Sequence, residues 1–345
     1  MLIIDGDLFV YKAGFAHRKK ELGFKLVNKE SNDTVIDLGN LTQTEAVKAA
    51  KERGISSNDW HLTPYYEPIE LSHVLGNLKH TLTQLMENFD NIPYELYLTS
   101  TDHSNYRYNI ATITPYKGSR SRCTACYSKT TARYDDVIPD FMGIGALKQV
   151  VLNCPHCGDI PKEQTKSERP YYFEEIREYM INQWGAIVVE GEEADDVVSY
   201  RSIELTDEGL TPIMVHIDKD INNTQGWHFN PDTKEGYYIN PTMAMRNFYS
   251  QVLLGDKIDC IPGVNGCGPK TIDIVFQYCD NPLEYEEVIL NIFQGEHYDI
   301  PRFSKAHSMC LTKQEAWTRL REIGQLLHIR QSRGEMWQPV TERIE

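Results

Sequence analysis

The chain has 345 residues and a formal net charge of −15, with 41% hydrophobic and 25% charged residues. This length and composition predict a globular protein that buries a large core and divides into two lobes. They argue against a protein that coats nucleic acid nonspecifically, and no apolar run approaches the ~20 residues that span a bilayer. The first residues enter a strand pattern with no basic leader, so we expect no secretory signal and a cytoplasmic location.

The predicted strand Leu2–Ile4 leads into an acidic turn that contains Asp5 and Asp7. In open α/β sheets, ligands bind beyond the carboxyl ends of the strands, so Asp5 is placed like a site residue. Asp7 has an alternative role, because an aspartate immediately before a helix caps its N-terminus.

Residues 17–70 are mixed in charge and show little periodicity, so we interpret them as an extended insertion. An amphipathic helix then covers residues 71–89, where apolar side chains recur at intervals of three and four. The next predicted strand, residues 95–99, is followed by Asp102. Asp102 therefore follows this strand in the same way that Asp5 follows the first predicted strand.

A basic segment extends from residue 103 to residue 134, with six lysines and arginines and no acidic residue. Aromatic side chains are interleaved with these cations. Aromatic rings stack on unpaired bases at ~1–3 kcal/mol per base, while cations hold phosphates. We therefore expect Arg107, Tyr116 and Arg122 to bind nucleic acid. The alternative is an ordinary solvated loop.

Two Cys-x-x-Cys pairs follow, Cys123 with Cys126 and Cys154 with Cys157. Four thiolates match a tetrahedral structural Zn²⁺ site, and disulfides are not expected in a chain without an export signal. The 27 residues between the pairs exceed the usual spacing, which implies a zinc-bound excursion rather than a minimal ribbon. The alternative is four free or redox-active thiols.

The most acidic stretch, Glu190–Asp196, lies between a predicted strand at residues 186–189 and a predicted helix. Asp195 and Asp196 would occupy the first helical turn, where the helix dipole favours negative charge. The dipole cannot balance so many carboxylates, since each close pair repels by ~1–4 kcal/mol. A hard divalent cation such as Mg²⁺ or Mn²⁺ would reverse this repulsion. The alternative is a solvated acidic helix start.

A further predicted strand, residues 212–217, is followed by Asp218 and Asp220. Acidic side chains thus follow each of four predicted strands, at Asp5, at Asp102, at the Glu190–Asp196 stretch and here. If these strand ends converge on one edge of a sheet, their carboxylates form a pocket for two metal ions.

Two predicted helices, residues 245–254 and 271–278, flank a Gly-rich hairpin. The backbone N–H groups of such a hairpin can hold a phosphate, and a lysine at the second helix start adds positive charge. The glycine spacing is that of a helix–hairpin–helix DNA clamp, whose candidate residues are Gly263, Gly266, Gly268 and Lys270. A last predicted helix, residues 311–329, is assigned a packing role.

Taken in order, the acidic motifs, the Tyr116–Arg120 segment and the Gly-rich hairpin resemble the 5′-nuclease superfamily from residue 1 to about residue 278. The segments Leu311–Trp317 and Trp337–Pro339 most resemble its phage exonuclease branch. The resemblance implies an α/β fold with a mostly parallel central sheet flanked by helices, which is a PIN-like core.

The same resemblance implies a domain organisation. A catalytic core would cover residues 1–240, with insertions at about 17–70 and 121–168, and the second insertion would carry the zinc site. A helical C-terminal lobe would cover residues 241–345, with the helix–hairpin–helix at about 245–278.

The resemblance also implies roles for individual residues. The catalytic cations of the family fall on Lys117 and Arg120. Its metal-binding carboxylates fall on the following acids: Asp5, Asp102, Glu193, Asp195, Asp196, Asp218, Asp220, Asp256 and Asp259. The chain departs from the family in its long 17–70 insertion and in the cysteine pairs, which stand where the family has its helical arch. These departures leave the passage of a single strand, and hence flap preference, open.

The implied activity is that of a divalent-metal-dependent 5′–3′ exonuclease or flap endonuclease that hydrolyses DNA near 5′ ends. Phage-type replication, primer removal or recombination would be its setting, and two Mg²⁺ or Mn²⁺ ions and one structural Zn²⁺ would be its cofactors. The implied partner is DNA with a 5′ end, nick or flap, or an RNA–DNA hybrid, bound by a monomer in the host cytoplasm without membrane contact. The alternatives are a catalytically silent DNA-junction-binding protein on the same fold and a PIN-like ribonuclease.

Overall fold

The structure is a computed structural model, and it describes residues 1–16, 23–28, 34–39, 41–55, 60–65, 69–102, 104–126, 128–138, 147–167, 169–295 and 311–341. Within these ranges the helices are α1 (Asp7–Ala16), α2 (Gln43–Glu52), α3 (Leu71–Asn88), α4 (Arg107–Ile110), α5 (Phe173–Trp184), α6 (Ala194–Asp207), α7 (Pro241–Leu254), α8 (Pro269–Val275), α9 (Pro282–Gln294) and α10 (Lys313–Leu327). The strands are β1 (Leu2–Asp5), β2 (Gly23–Asn28), β3 (Thr34–Asp37), β4 (Trp60–Tyr65), β5 (Tyr94–Thr99), β6 (Ser121–Cys123), β7 (Thr131–Ile138), β8 (Leu147–Cys154), β9 (Gly158–Ile160), β10 (Thr165–Ser167), β11 (Ile187–Val189), β12 (Ile213–Val215), β13 (Gly226–Asn230), β14 (Glu235–Ile239), β15 (Gly255–Asp256) and β16 (Ile261–Pro262).

The chain divides into two compact units. The first unit comprises Met1–Leu8, Met86–Lys117 and Met180–Glu345, and it holds the central sheet and the C-terminal helices. The second unit comprises Phe9–Leu85 and Gly118–Tyr179, and it holds three smaller sheets and the cysteine pairs.

The central sheet of the first unit has the strand order β11-β5-β1-β12-β13-β14. All neighbouring strands are parallel except β14, which pairs antiparallel with β13. Strand β1 lies in the interior of the sheet, and Leu2, Ile3 and Ile4 are fully buried, as expected for a continuous apolar strand in a parallel sheet. The predicted α/β class with a mostly parallel sheet flanked by helices is confirmed.

Four adjacent parallel strands, β11, β5, β1 and β12, present their carboxyl ends at one edge of this sheet. These are the four strands that acidic residues follow in the sequence. The convergence of strand ends predicted from the order of strands and acids is therefore present in the fold.

Helix α6 covers one face of the sheet, where Val198 packs among buried side chains that include Ile3 and Met214. Helices α7, α8, α9 and α10 share a separate apolar core that includes Phe248, Phe276 and Ile323. The Asn240 side chain caps α7 by accepting from the Met243 N–H at 2.9 Å. The predicted boundary at residue 240 thus falls at a helix start, and the division into two domains there stays a prediction.

The second unit contains a three-stranded antiparallel sheet of β3, β2 and β4. Phe24, Leu26 and Leu38 pack with Ala46 of α2 to form its core. The described part of residues 17–70 thus folds into a small module, and its interpretation as an insertion stays a prediction. Its strands are short and the chain between them is polar, which is why little periodicity is visible in the sequence.

The remaining sheets of the second unit are the β6–β10 pair and the β7-β8-β9 hairpin sheet. Helix α3 confirms the predicted amphipathic helix, since Val74, Leu78, Leu82 and Leu85 are all buried on one face. Among the described residues, the helices are too short or too polar to cross a bilayer.

Candidate active site

Asp5 ends β1 and lies at the acidic edge of the sheet. One of its carboxylate oxygens accepts from the Asp7 N–H at 3.1 Å, and burial together with the negative charges of Asp7 and Asp218 raises the pKa of Asp5 well above its usual value. Asp7 begins α1 and accepts from the Thr99 N–H at 3.1 Å, which ties the end of β5 to β1. Asp7 is the first residue of α1 rather than the residue before it, and the contact described for its carboxylate is with the end of β5.

Glu193 is the N-cap residue of α6 and is buried. Its carboxylate accepts from the Tyr116 hydroxyl at 3.0 Å and forms ion pairs with the Lys117 ammonium and, at 3.5 Å, with the Arg107 guanidinium. Burial favours the neutral form, but the charges of Lys117 and Arg107 outweigh it and lower the pKa of Glu193 to about 2. Glu193 is therefore a fixed, ionised carboxylate.

Asp195 and Asp196 occupy the first turn of α6, as predicted, but their surroundings differ. Burial and the charges of Glu193 and Asp196 raise the pKa of Asp195 well above its usual value. Asp196 is fully buried and forms a bidentate ion pair with Arg107, at 2.6 and 2.8 Å. The charged form of Asp195 is thus disfavoured at the helix start, while the charge of Asp196 is compensated by Arg107.

Asp218 and Asp220 follow β12, and the Asp218 carboxylate accepts from the Asp220 N–H at 2.9 Å. Burial at this strand end raises the pKa of both carboxyls. The pKa of Asp220 rises to about 7, and the negative charge of Asp218 is the second largest cause of that rise. The Gln251 amide of α7 donates to Asp220 at 2.6 Å and holds it in place.

Asp256 ends β15 and Asp259 lies in the turn between β15 and β16, in the segment that joins α7 to α8. Asp256 is buried, accepts from the Ile258 N–H at 2.6 Å and pairs with the Lys219 ammonium at 2.8 Å. Asp259 accepts from the Tyr116 hydroxyl at 3.0 Å and lies 3.9 Å from the Lys117 ammonium. The loop therefore adds two carboxylates to the side of the site formed by Asp218.

Asp102, in contrast, is exposed and forms local hydrogen bonds with Ser100 and Ser104. These hydrogen bonds, that from the Ser104 side chain first, lower the pKa of Asp102. Asp102 follows the expected strand, but the contacts described for it are with its own loop rather than with the other predicted carboxylates.

The structure corrects two predicted DNA contacts. Arg107 is 1% exposed, and besides Asp196 its guanidinium donates to the backbone carbonyls of Leu326 and His328 at 3.0 and 2.8 Å. Tyr116 is 4% exposed and bridges Glu193 and Asp259 with its hydroxyl. Neither side chain offers a surface to DNA, because both are used to position carboxylates.

Sequence reasoning missed Arg330, which lies beyond α10. Its backbone N–H donates to Asp196 at 3.0 Å, its guanidinium pairs with Glu192 at 2.7 Å, and it stacks on the Tyr106 ring at 3.8 Å. Arg330 therefore joins the loop before Arg107 to the loop before Glu193. An isolated arginine after a helix carries no pattern from which this role could be found.

The two glycines at the ends of the Gly-rich hairpin touch backbone to backbone. β15 pairs with β16, and a Cβ atom on Gly255 would overlap Gly263, while one on Gly263 would overlap the Leu254 carbonyl. Gly268 caps α8, and Lys270 in its first turn is exposed. The two helices and the turn lie where expected, and the assignment of Gly263, Gly266, Gly268 and Lys270 to a DNA clamp stays a prediction.

The second unit holds the remaining predicted residues. The four cysteine sulfurs of Cys123, Cys126, Cys154 and Cys157 lie within 4.8 Å of one another. No other three His, Cys, Asp or Glu side chains among the described residues, the carboxylates of the acidic edge included, have their ligand atoms grouped so closely. Arg120 is exposed and Arg122 lies in β6, paired with Lys166 of β10. The predicted cysteine cluster is thus assembled, and the roles of both arginines stay predictions.

The chain is similar in fold to solved structures of other proteins. No family model and no curated protein matches the sequence. Among solved structures, bacteriophage T5 D15 flap endonuclease in a pseudo-enzyme–product complex with DNA and metal ions aligns with a TM-score of 0.50 at 12% identity, covering 94% of this chain and 88% of that chain. T5 5′-exonuclease with divalent zinc ions bound aligns over the same shares with a TM-score of 0.49 at 12% identity.

The chain has the 5′-nuclease fold. The fold predicted from the motifs is thereby confirmed, and membership of the 5′-nuclease superfamily and of its phage branch stays a prediction. In this fold, the acidic edge described above is where carboxylates from separate segments of this chain lie.

The donor set at this edge fits a hard divalent cation. Asp5 and Asp195 are surrounded by further carboxylates, and each has a pKa raised by burial and by negative neighbours. The cations Arg107, Lys117 and Lys219 are each paired with other acids of the site. Carboxylate oxygens that lack a full complement of positive charge are the ligands that Mg²⁺ and Mn²⁺ take.

Proposed function

We propose that this chain is a divalent-metal-dependent nuclease that hydrolyses DNA phosphodiesters near 5′ ends. The observation that carries the proposal is the meeting of carboxylates from separate segments around the Lys117 ammonium, at the carboxyl edge of a parallel sheet. Its 5′-nuclease fold supports the proposal, since the T5 protein of the same fold is described as a flap endonuclease in complex with DNA and metal ions.

The residues best placed to hold the metal ions are Asp5, Glu193, Asp195, Asp218 and Asp220. Asp196 and Asp256 are engaged by Arg107 and Lys219, so we assign them a supporting role. Asp102 and Asp259 complete the proposed set. When bound, two such ions lower the pKa of a water molecule and stabilise the leaving oxygen of a phosphodiester.

The cations of the chain act on the substrate phosphate. We propose that Lys117 and Arg120 are the catalytic cations, which neutralise the negative charge that develops on the scissile phosphate. Tyr116 fixes Glu193 and Asp259 relative to each other through its single hydroxyl, at 3.0 Å from each. The two carboxylates are therefore in position before the reaction begins. A preorganised site accelerates the reaction because its charged groups need not be reoriented in the transition state.

We propose that the cysteine cluster holds one structural Zn²⁺. A tetrahedral site with Zn–S bonds of about 2.3 Å has S–S edges of roughly 3.8 Å. The Sγ atoms of Cys123 and Cys157 lie 3.8 Å apart and those of Cys157 and Cys126 lie 3.7 Å apart, while those of Cys126 and Cys154 are closer, at 3.2 Å. With four protein ligands the ion would have no open position, so its role is to shape the second unit.

The biological setting follows from the proposed activity. DNA with a 5′ end, a nick or a flap is the proposed substrate, and an RNA–DNA hybrid is a further one. The hairpin residues Gly263, Gly266, Gly268 and Lys270 would hold the duplex backbone. Replication, primer removal or recombination in a phage-infected cell, with the protein acting as a monomer in the host cytoplasm, is the proposed context.

One experiment tests the activity. A DNA strand labelled at its 5′ or 3′ end is placed in blunt, nicked and 5′-flapped duplexes and incubated with Mg²⁺ or EDTA. Short 5′ products that require Mg²⁺ are expected, and the preferred duplex separates exonuclease from flap cleavage. Tight binding without cleavage would support the silent junction-binder instead, and cleavage restricted to a matched RNA duplex would support the ribonuclease.

A matched pair of variants assigns the cleavage to the acidic edge. Asp195→Asn is expected to lower turnover at least about 100-fold, because it removes a proposed metal ligand. Asp207→Asn, at the exposed end of the same helix, removes the same charge and is expected to cleave like the wild type. Wild-type rates in Asp195→Asn would refute the site.

A further inference from the structure

Lys117 sits among the carboxylates rather than at the surface. Its ammonium forms an ion pair with Glu193 Oε1, lies 3.9 Å from Asp259 Oδ2, and has a side-chain exposure of 15%. It also lies 5.0 Å from the centroid of the Tyr116 ring. One cation thus neutralises acids from the start of α6 and from the loop before α8.

The backbone of Lys117 is fixed in a conformation that directs the side chain to this position. Lys117 has a φ of +54°, which non-glycine residues seldom adopt, and its N–H donates to the Asp259 carbonyl at 2.9 Å. Because that hydrogen bond ties Lys117 to the loop carrying Asp259, the ammonium and the Asp259 carboxylate belong to one local structure.

We infer that Lys117 is an internal counter-ion, which competes with divalent metal for the oxygens of Glu193 and Asp259. This inference rests on the proposed function and deepens it. An ammonium and a divalent cation cannot share the same carboxylate oxygens at contact distance, because their charges repel strongly in a partly buried site. Metal binding therefore displaces Lys117, and the freed ammonium becomes available to the phosphate of the substrate.

The carboxylates keep their positions when the ammonium leaves. Glu193 is also held by the Tyr116 hydroxyl at 3.0 Å and by Arg107 at 3.5 Å, and Asp259 is held by the same Tyr116 hydroxyl. The exchange thus requires a movement of one lysine side chain rather than a rearrangement of the site. Lys117 couples metal binding to substrate recognition, since the ion that fills the site also releases the cation that the phosphate needs.

The inference predicts an effect of unusual sign. Most substitutions in a metal site weaken metal binding, whereas removing a competing cation strengthens it. We expect Lys117→Met to bind Mn²⁺ about tenfold or more tightly than the wild type in the absence of DNA, because a like charge next to the ion is removed. The same variant is expected to lose cleavage activity, because the cation for the phosphate is gone.

The measurement is a calorimetric titration of the whole chain with Mn²⁺ alone. Lys117→Arg keeps the charge and is expected to bind Mn²⁺ within about threefold of the wild type. Lys257→Met, an exposed lysine in the same loop as Asp256 and Asp259, makes the same change in net charge and is the control for long-range electrostatics. Equal thermal unfolding midpoints would show that the variants are folded.

The outcomes separate this inference from the proposed function. A wild type that binds Mn²⁺ and cleaves DNA, together with a Lys117→Met that binds Mn²⁺ no more tightly, would overturn the counter-ion while leaving the nuclease intact. Tightening to the same degree in Lys257→Met would also overturn it, since net charge alone would then explain the effect. If the wild type binds no Mn²⁺ at the acidic edge, both the metal-dependent function and the counter-ion fail.

Discussion

Replacing Arg107 by methionine is expected to lower the free energy of unfolding by about 3–5 kcal/mol, the cost of removing one partner of a buried ion pair. Arg107 is 1% exposed and Asp196 is 0% exposed, so water cannot replace the lost guanidinium. Asp196 would be left as a buried charge, and the carbonyls of Leu326 and His328 would each lose a donor. Methionine fills part of the space of the arginine stem, so the loss is chiefly electrostatic.

A second variant isolates the pair itself. Asp196→Asn leaves Arg107 with only its longer ion pair to Glu193, at 3.5 Å, and is expected to be destabilised by a similar amount. Because both substitutions remove the same interaction, the double variant should be less destabilised than the sum of the two by about 2–3 kcal/mol. The pKa of Arg107 is raised by Asp196 against the effect of burial, which keeps the guanidinium charged at any pH at which the protein is folded.

Urea unfolding followed by far-ultraviolet circular dichroism measures these free energies. Arg133→Met is the matched control, because Arg133 makes the same bidentate contact with Asp159, at 2.9 and 2.8 Å, but on the surface. Its effect is expected to be far smaller, since exposed pairs are screened by water and salt. Equal losses for Arg107→Met and Arg133→Met, or additive free energies in the cycle, would refute the reasoning.

Two further predictions concern protonation and zinc. The rings of His216 and His228 are buried and joined at 2.8 Å, and burial lowers their pKa values to about 3 and about 4. The unfolded chain therefore binds more protons, so stability is complete above pH ~6.5 and falls below it, by about 2 kcal/mol per histidine at pH 5. His228→Asn should flatten this slope in urea midpoints measured from pH 7 to pH 5, and an unchanged slope would contradict the assignment. Cys126→Ser is expected to lose the one zinc ion found by native mass spectrometry in the wild type, whereas Cys279→Ser, outside the cluster, should keep it.

The sequence predicts the acidic edge because strand order and the position of acids are local signals. Each of the strands before Asp5, Asp195 and Asp218 is a short apolar run, and parallel neighbours in a sheet necessarily end at the same edge. The amphipathic helix α3 and the helices on either side of the Gly-rich hairpin are visible for the same reason, since their apolar spacing is contained within one element.

The arginine contacts that hold the carboxylates of this edge in place were not predictable, because they join distant parts of the chain. Arg107 reads as one more cation in a basic segment, yet its partners lie 89, 219 and 221 residues away. Arg330 reaches Asp196 across 134 residues. Neither residue type nor periodicity distinguishes a buried arginine that orients carboxylates from an exposed one that holds phosphate. Asp102 shows the converse, since a position after a strand does not decide where a loop directs its side chain.

The hydrogen bonds from Arg107 to Leu326 and His328, and from Arg330 to Asp196, make the support of the site depend on residues that are synthesised late. The sheet and α6 are complete in sequence well before these residues are translated. A nascent chain that has not yet passed Arg330 therefore holds Asp196 without its full set of donors, so its acidic edge is formed but not held. Under the proposed function, an unfinished chain on the ribosome would be a poor nuclease, because the residues that complete the support of Asp196 and Arg107 have not yet been synthesised.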